Sequence, residues 1–298
     1  MRVHQHKQLL GRWQRSLGLY KALQTAIRPG ISVLDAGCGT GLSSLWALQL
    51  GAGRVIGADL EDVELARSLA EENGFGDRTR FLRADLRSVQ VEDLGGPCEL
   101  MIAMVYHNDP RRDEAQSGLV MDLRDKLVAP DGDVIPDRVV YRVSAWEWPG
   151  QDFPTRMADI TQFVRQIEDR YALRLKSLRE ALLAEPDLRA FPEREASGVL
   201  ARPLARQLSA WHVGFTIDYR KGSAQTPAMV ELSTNAPGVF NVVIWVQELY
   251  YRDLRIFENE SVGWLENPTR VDPGSRLRIA LDARWRESNV LRVTTGRG

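Results

Sequence analysis

The stretch Val33-Leu34-Asp35-Ala36-Gly37-Cys38-Gly39-Thr40-Gly41 constrains this chain more than any other. A short apolar run ends in an acid, glycines follow at alternate positions, and a helical pattern from Gly41 to Leu50 opens directly behind them. Glycines so spaced let the backbone pass close beneath a ligand where a Cβ would collide, and the following helix N-terminus offers N–H groups to it. Arg54–Asp59, Thr79–Leu82 and Leu100–Met104 are further apolar runs, with helical patterns at Val63–Asn73 and Ser117–Leu127 between them. Strands alternating with helices of about ten residues predict βαβ units and a parallel sheet.

After Val128-Ala129-Pro130-Asp131-Gly132, read as a turn, the texture changes. Val139–Ala145, Trp211–Tyr219, Gly238–Val246, Leu277–Leu281 and Val290–Thr294 predict an antiparallel sheet or barrel. Thr155–Ala184 instead has helical spacing, which sets Ile167, Tyr171, Leu175 and Leu178 on one apolar face. The expected fold class is α/β: a doubly wound sheet followed by an antiparallel β-barrel-like domain with a helical insertion.

Of 298 residues, 39 are Lys or Arg and 40 are Asp or Glu, so no net basic field exists to hold nucleic acid. Only Cys38 and Cys98 occur, which predicts no disulfide framework and a reducing compartment. Met1–Leu10 has no apolar core of a leader, and no apolar run reaches membrane-spanning length. A cytoplasmic protein with no membrane partner is expected.

The Gly-x-Gly-x-Gly spacing behind an acid differs from the Gly-x-Gly-x-x-Gly dinucleotide fingerprint. It resembles the first motif of class I S-adenosylmethionine methyltransferases. The resemblance implies S-adenosylmethionine as cofactor, held around Asp35, Gly37, Gly39 and Gly41, with no metal. Asp59, ending the second strand, can accept hydrogen bonds from both ribose hydroxyls, and Asp85-Leu86 follow the third strand, where this superfamily places the adenine.

Arg124-Asp125-Lys126-Leu127 and Ala129-Pro130-Asp131-Gly132-Asp133-Val134-Ile135-Pro136-Asp137-Arg138 resemble the protein arginine methyltransferases more closely. This implies a Rossmann-like methyltransferase domain with an N-terminal helix in residues 1–136. A β-barrel-like substrate domain follows in residues 137–298, with a dimerisation-arm-like insertion at about 155–205 and a homodimer as the assembly. His6, Leu10, Arg15 and Leu17 match the family's N-terminal pattern, which gives Arg15 the carboxylate of the cofactor; the planar guanidinium fork suits that task. The bland alternative is a solvated Arg15 on an amphipathic helix.

The substrate motifs depart. Counting back from Arg124, the family's paired Glu positions fall on Val105 and Glu114, so one jaw of a guanidinium clamp is missing. In the barrel, the Thr-His-Trp loop aligns with Val243-Ile244-Trp245-Val246-Gln247, where Ile244 replaces His. Asn108-Asp109-Pro110 partly resembles the Asn-Pro-Pro-Tyr loop of amino methyltransferases. Glu114, His107 and Asp109 are therefore the catalytic candidates, as acceptors of a proton from an amine. Tyr106, Asn108, Trp245 and Gln247 are the candidates for substrate contact. Against them stand a loop His107 bonded to a local carbonyl and a Trp245 packed in the core.

Three functions compete. One is N-methylation of a peptide, protein or amine-bearing metabolite; another is O- or C-methylation of a small molecule; the third is a catalytically silent cofactor-binding partner protein. With Val105 and Ile244 at two polar family positions, poor methylation of generic arginine-rich peptides is expected.

Overall fold

The structure is a computed structural model that describes residues 13–61, 63–106, 110–148, 153–172, 174–184, 205–222, 226–288 and 290–296. His6, Leu10, His107, Asn108 and Asp109 lie outside the described residues, as does 185–204 of the insertion.

Helix α1 (Trp13–Ala26) precedes strands β1 (Ser32–Ala36), β2 (Arg54–Asp59), β3 (Thr79–Arg83), β4 (Cys98–Ile102) and β5 (Val128–Ile135). The five pair in parallel in the order β3-β2-β1-β4-β5. Helices α2 (Leu42–Gln49), α3 (Glu64–Glu72), α4 (Val91–Leu94) and α5 (Pro110–Leu127) link them. Val33, Leu34, Leu100 and Met101 are buried, as strands covered on both faces require. Chain direction across the sheet reverses its order between β1 and β4, which opens a crevice at their C-terminal ends.

Two expectations change here. Helix α5 begins at Pro110 rather than Ser117, and proline suits a first helical position, whose N–H has no intrahelical partner. Val128–Gly132 is part of a strand rather than a turn. Its register steps from Cys98↔Val128 to Leu100↔Asp133, so the residues around Pro130 are accommodated in a bulge.

The second sheet contains β6 (Arg138–Glu147), β7 (Arg206–Gln207), β8 (His212–Asp218), β9 (Met229–Ser233), β10 (Gly238–Tyr251), β11 (Leu254–Val271), β12 (Arg276–Ala280) and β13 (Val290–Gly296). Their order is β7-β6-β10-β11-β13-β12-β9, with β8 also on β6. The sheet is curled and mostly antiparallel, but β11 and β13 pair in parallel at Trp264↔Val290 and Leu265↔Leu291. The insertion forms α6 (Phe153–Tyr171) and α7 (Lys176–Ala184). A positive φ of 51° at Ala172 separates them. The expected continuous face is thus broken: Ile167 and Tyr171 lie on α6, Leu175 in the link and Leu178 on α7, and Tyr171 and Leu178 are exposed. Helix α8 (Ala283–Ser288) lies between β12 and β13.

One hydrophobic core runs through both halves. Helix α1 joins them further: Gly18 lies so close to Ile256 of β11 that a Cβ would overlap its carbonyl oxygen. Cys38 and Cys98 are buried free thiols. Among the described residues no helix is long and apolar enough to cross a membrane.

Candidate active site

At the mouth of the parallel sheet, Gly37, Gly39 and Gly41 have φ of 79°, 52° and 75°, the left-handed region that glycine enters without strain. Space is tight as well: a Cβ on Gly37 would lie 2.8 Å from Val105 Cγ1, and one on Gly41 2.9 Å from Ala66 Cβ. The loops after β1 and β4 therefore touch at the crevice. Gly39 N–H donates to Asp59 Oδ2 at 2.9 Å, and Glu61 N–H donates to Oδ1 at 3.0 Å. Each carboxylate oxygen has a second lone-pair direction, so Asp59 can hold the loop and still accept a ligand hydroxyl.

Asp35 is turned inward. Its Oδ2 accepts from Ser44 Oγ at 2.7 Å, and burial raises its pKa to about 6. This bond ties β1 to α2 and shapes the turn from within. Asp85 Oδ1 accepts from Arg87 N–H at 2.9 Å and caps the short turn Leu86–Ser88, which leaves Asp85 and Leu86 at the same edge of the sheet. Arg15 reaches the crevice from α1, with Nη2 3.5 Å from the carbonyl oxygen of Met104, just beyond β4. Cys38 packs with Leu45 and Phe81 beneath the loop, and burial pushes its thiol far above the ordinary range. It is no nucleophile at neutral pH.

The seam between α5 and the barrel is built differently. Tyr106 and Tyr219 share a 2.5 Å hydroxyl contact. Asp113, fully buried, accepts from Tyr141 Oη at 3.1 Å and from Gln247 Nε2. Gln247 also donates to Tyr141 Oη at 2.9 Å. Trp245 is buried, with ring centroids 6.2 Å from both Phe215 and Trp285. Trp245 and Gln247, expected to touch substrate, are instead parts of the interior. Burial holds the hydroxyls of Tyr106 and Tyr141 well above their usual pKa and that of Tyr219 at about 12, so all three stay protonated at neutral pH.

Glu114 forms an ion pair. Arg286 of α8 donates through Nε to Oε2 at 2.8 Å and through Nη2 to Oε1 at 3.2 Å. Ile244 lies on the other face of β10, in a cluster with Trp146, Trp148 and Trp264.

A family model described as a methyltransferase domain matches residues 33–124, the segment that contains the glycine turn, Asp59 and Asp85. That segment is similar to a methyltransferase domain. An arginine N(omega)-methyltransferase of Streptomyces achromogenes subsp. streptozoticus is 30% identical over 134 residues, 44% of this chain and 37% of that protein. The chain thus spans little more than a third of that relative's length. Among solved structures, protein arginine methyltransferase 10 of Arabidopsis thaliana superimposes with a TM-score of 0.73 at 16% identity, covering 99% of this chain and 92% of that one. The Trypanosoma brucei PRMT1 enzyme–prozyme heterotetrameric complex with AdoHcy gives 0.68 at 18% identity, covering 97% and 91%. At these identities the likeness is of fold, a methyltransferase domain continued by a barrel.

Several residues joined to the methyltransferase domain escape sequence reasoning: Asp113, Tyr141, Tyr219, Trp285 and Arg286. For Asp113 a signal existed. Asp113, Ser117, Val120 and Leu127 recur at helical spacing on the buried face of α5, and a helix drawn from Pro110 includes the acid in that face. Arg286 carries none, because its partner lies 172 residues away.

Proposed function

We propose that this chain is an S-adenosylmethionine-dependent methyltransferase that N-methylates a peptide, protein or amine-bearing metabolite. The observation that carries the reading is the left-handed glycine turn at the sheet's switch point, with Asp59 on one rim and Arg15 reaching the other. The turn fits the cofactor: glycine leaves the space a Cβ would fill, Asp59 keeps acceptor capacity for the ribose, and Asp85-Leu86 stand at the adenine side. Arg15 is a fork for the carboxylate. Bound there, S-adenosylmethionine supplies an electrophilic methyl group to a nucleophile aligned opposite its sulfonium.

The protein's own part is alignment, exclusion of water and removal of a proton. Since Arg286 engages both oxygens of Glu114, proton acceptance falls to His107 or Asp109 in the sequence after β4. Tyr106 and Asn108, their neighbours in the sequence, are the residues assigned to substrate contact in this reading. A homodimer through the insertion is part of the reading, with Phe163, Tyr171 and Leu178 as exposed apolar residues on it. The working compartment is the cytoplasm.

Mass spectrometry of the full chain with S-adenosylmethionine and amines, peptides and cell extract tests the reading. A mass gain on nitrogen supports it. Methyl on oxygen or carbon points to the small-molecule alternative, and binding without turnover to a silent partner protein.

A further inference from the structure

Arg286 is held more firmly than a surface arginine. Its Nε and Nη2 donate to the two oxygens of Glu114, and its Nη1 donates to the carbonyl oxygen of Leu281 at 2.8 Å. All three guanidinium nitrogens are engaged. The residues next to the pair are fixed too: Trp285 is fully buried against Trp245, and Asp113 is fully buried against Tyr141 and Gln247. Tyr141 stacks on Phe215 at 4.5 Å, and Phe215 meets Trp245, so the contacts close into a ring that joins α5, the barrel and α8. Neither backbone anchor is free to carry its charge away from the other.

A carboxylate grips a guanidinium through two parallel N–H···O bonds, and those directions on Glu114 are already taken. Glu114 lies in the N-terminal half of α5, which follows the loop after β4 at the same sheet edge as the glycine turn. An incoming guanidinium finds there a carboxylate filled by the protein's own arginine. We propose that Arg286 is a specificity-determining residue, which occupies Glu114 in place of a substrate guanidinium and so excludes arginine side chains as acceptors. The inference rests on the methyltransferase reading only for placing Glu114 beside the acceptor.

The test is calorimetric titration of the full chain with an acetylated, amidated Gly-Arg-Gly peptide, with and without saturating S-adenosylhomocysteine. Arg286→Gln is expected to tighten peptide binding at least tenfold, and Arg286→Gln combined with Glu114→Gln to abolish that gain. In the otherwise unaltered protein, Glu114→Gln is expected to leave peptide affinity within twofold. This arm stands even if Arg286→Gln fails to fold. Tenfold weaker peptide binding on Glu114→Gln alone, or no gain in a folded Arg286→Gln, overturns the proposal. Failure of S-adenosylhomocysteine to bind overturns the methyl-donor reading instead, because the peptide is also titrated without it.

Discussion

Two carboxylates mark two kinds of construction in this molecule. Asp59, at the mouth of the parallel sheet, is bonded by backbone N–H groups of its own loops, one to each oxygen. Among the described residues, its remaining acceptor directions take no further hydrogen bond. Glu114, at the seam between α5 and the barrel, is matched by a charged side chain from another part of the fold. A carboxylate held by backbone amides shapes a cradle and can still receive a ligand; one held by a guanidinium has its charge and geometry already answered. On the proposed reading, the carboxylate on the cofactor side keeps acceptor capacity for a ligand, while the one on the acceptor side is already occupied by the protein's own arginine.

The sharpest way to break that contrast is at the turn. Gly41→Val forces a branched side chain into left-handed backbone beside Ala66 and Phe81. The expected cost is about 3 kcal/mol of stability or more, together with loss of S-adenosylhomocysteine binding, read by denaturant unfolding and calorimetry. An unchanged affinity in a folded Gly41→Val protein would place the cofactor elsewhere.

Asp35 tests how far the turn is braced from inside. Its pKa is raised by burial from an ordinary 3.8 to about 6, so the folded protein binds a proton more tightly than the unfolded chain. The stabilising effect is fully present below the unfolded value and is lost as pH rises through about 6. Asp35→Asn removes the ionisation. Relative to the unaltered protein it should gain about 2 kcal/mol of stability between about pH 4.5 and about pH 7.5. A stability difference that does not change with pH would mean that Asp35 is not charged at the cost of burial.

The smallest effect belongs to the seam. Glu114 and Arg286 keep about a third of their side-chain surface exposed. Glu114→Gln should therefore cost no more than about 1 kcal/mol in denaturant unfolding, the scale of a partly screened ion pair. A loss of several kcal/mol would show that the pair holds the two halves together rather than setting the acceptor site.

The same contrast explains what could be read from the residues alone. The glycine spacing, the acid at the end of β2 and the alternation of strands with helices are local patterns, and they placed the parallel sheet and the turn. The Val128–Gly132 reading failed because proline and glycine mark turns and bulges alike, and only the partner strand decides between them. Strand β11 passed unread because its middle, Glu258-Asn259-Glu260, breaks the apolar alternation, although β10 pairs those three residues. At the seam, nothing within Arg284-Trp285-Arg286 or Asp113-Glu114 announces the other segment. Their meeting is a product of the tertiary fold, and so is the filled state of Glu114.

The most direct test of the methyl-donor reading is calorimetric titration of the full chain with S-adenosylhomocysteine and, separately, with NAD, comparing it with Asp59→Ala. Expected are S-adenosylhomocysteine binding, no NAD binding, and a loss of roughly 1.5–3 kcal/mol in Asp59→Ala, on the order of tenfold to a hundredfold in affinity. Binding of NAD without S-adenosylhomocysteine would contradict the assignment of the glycine turn.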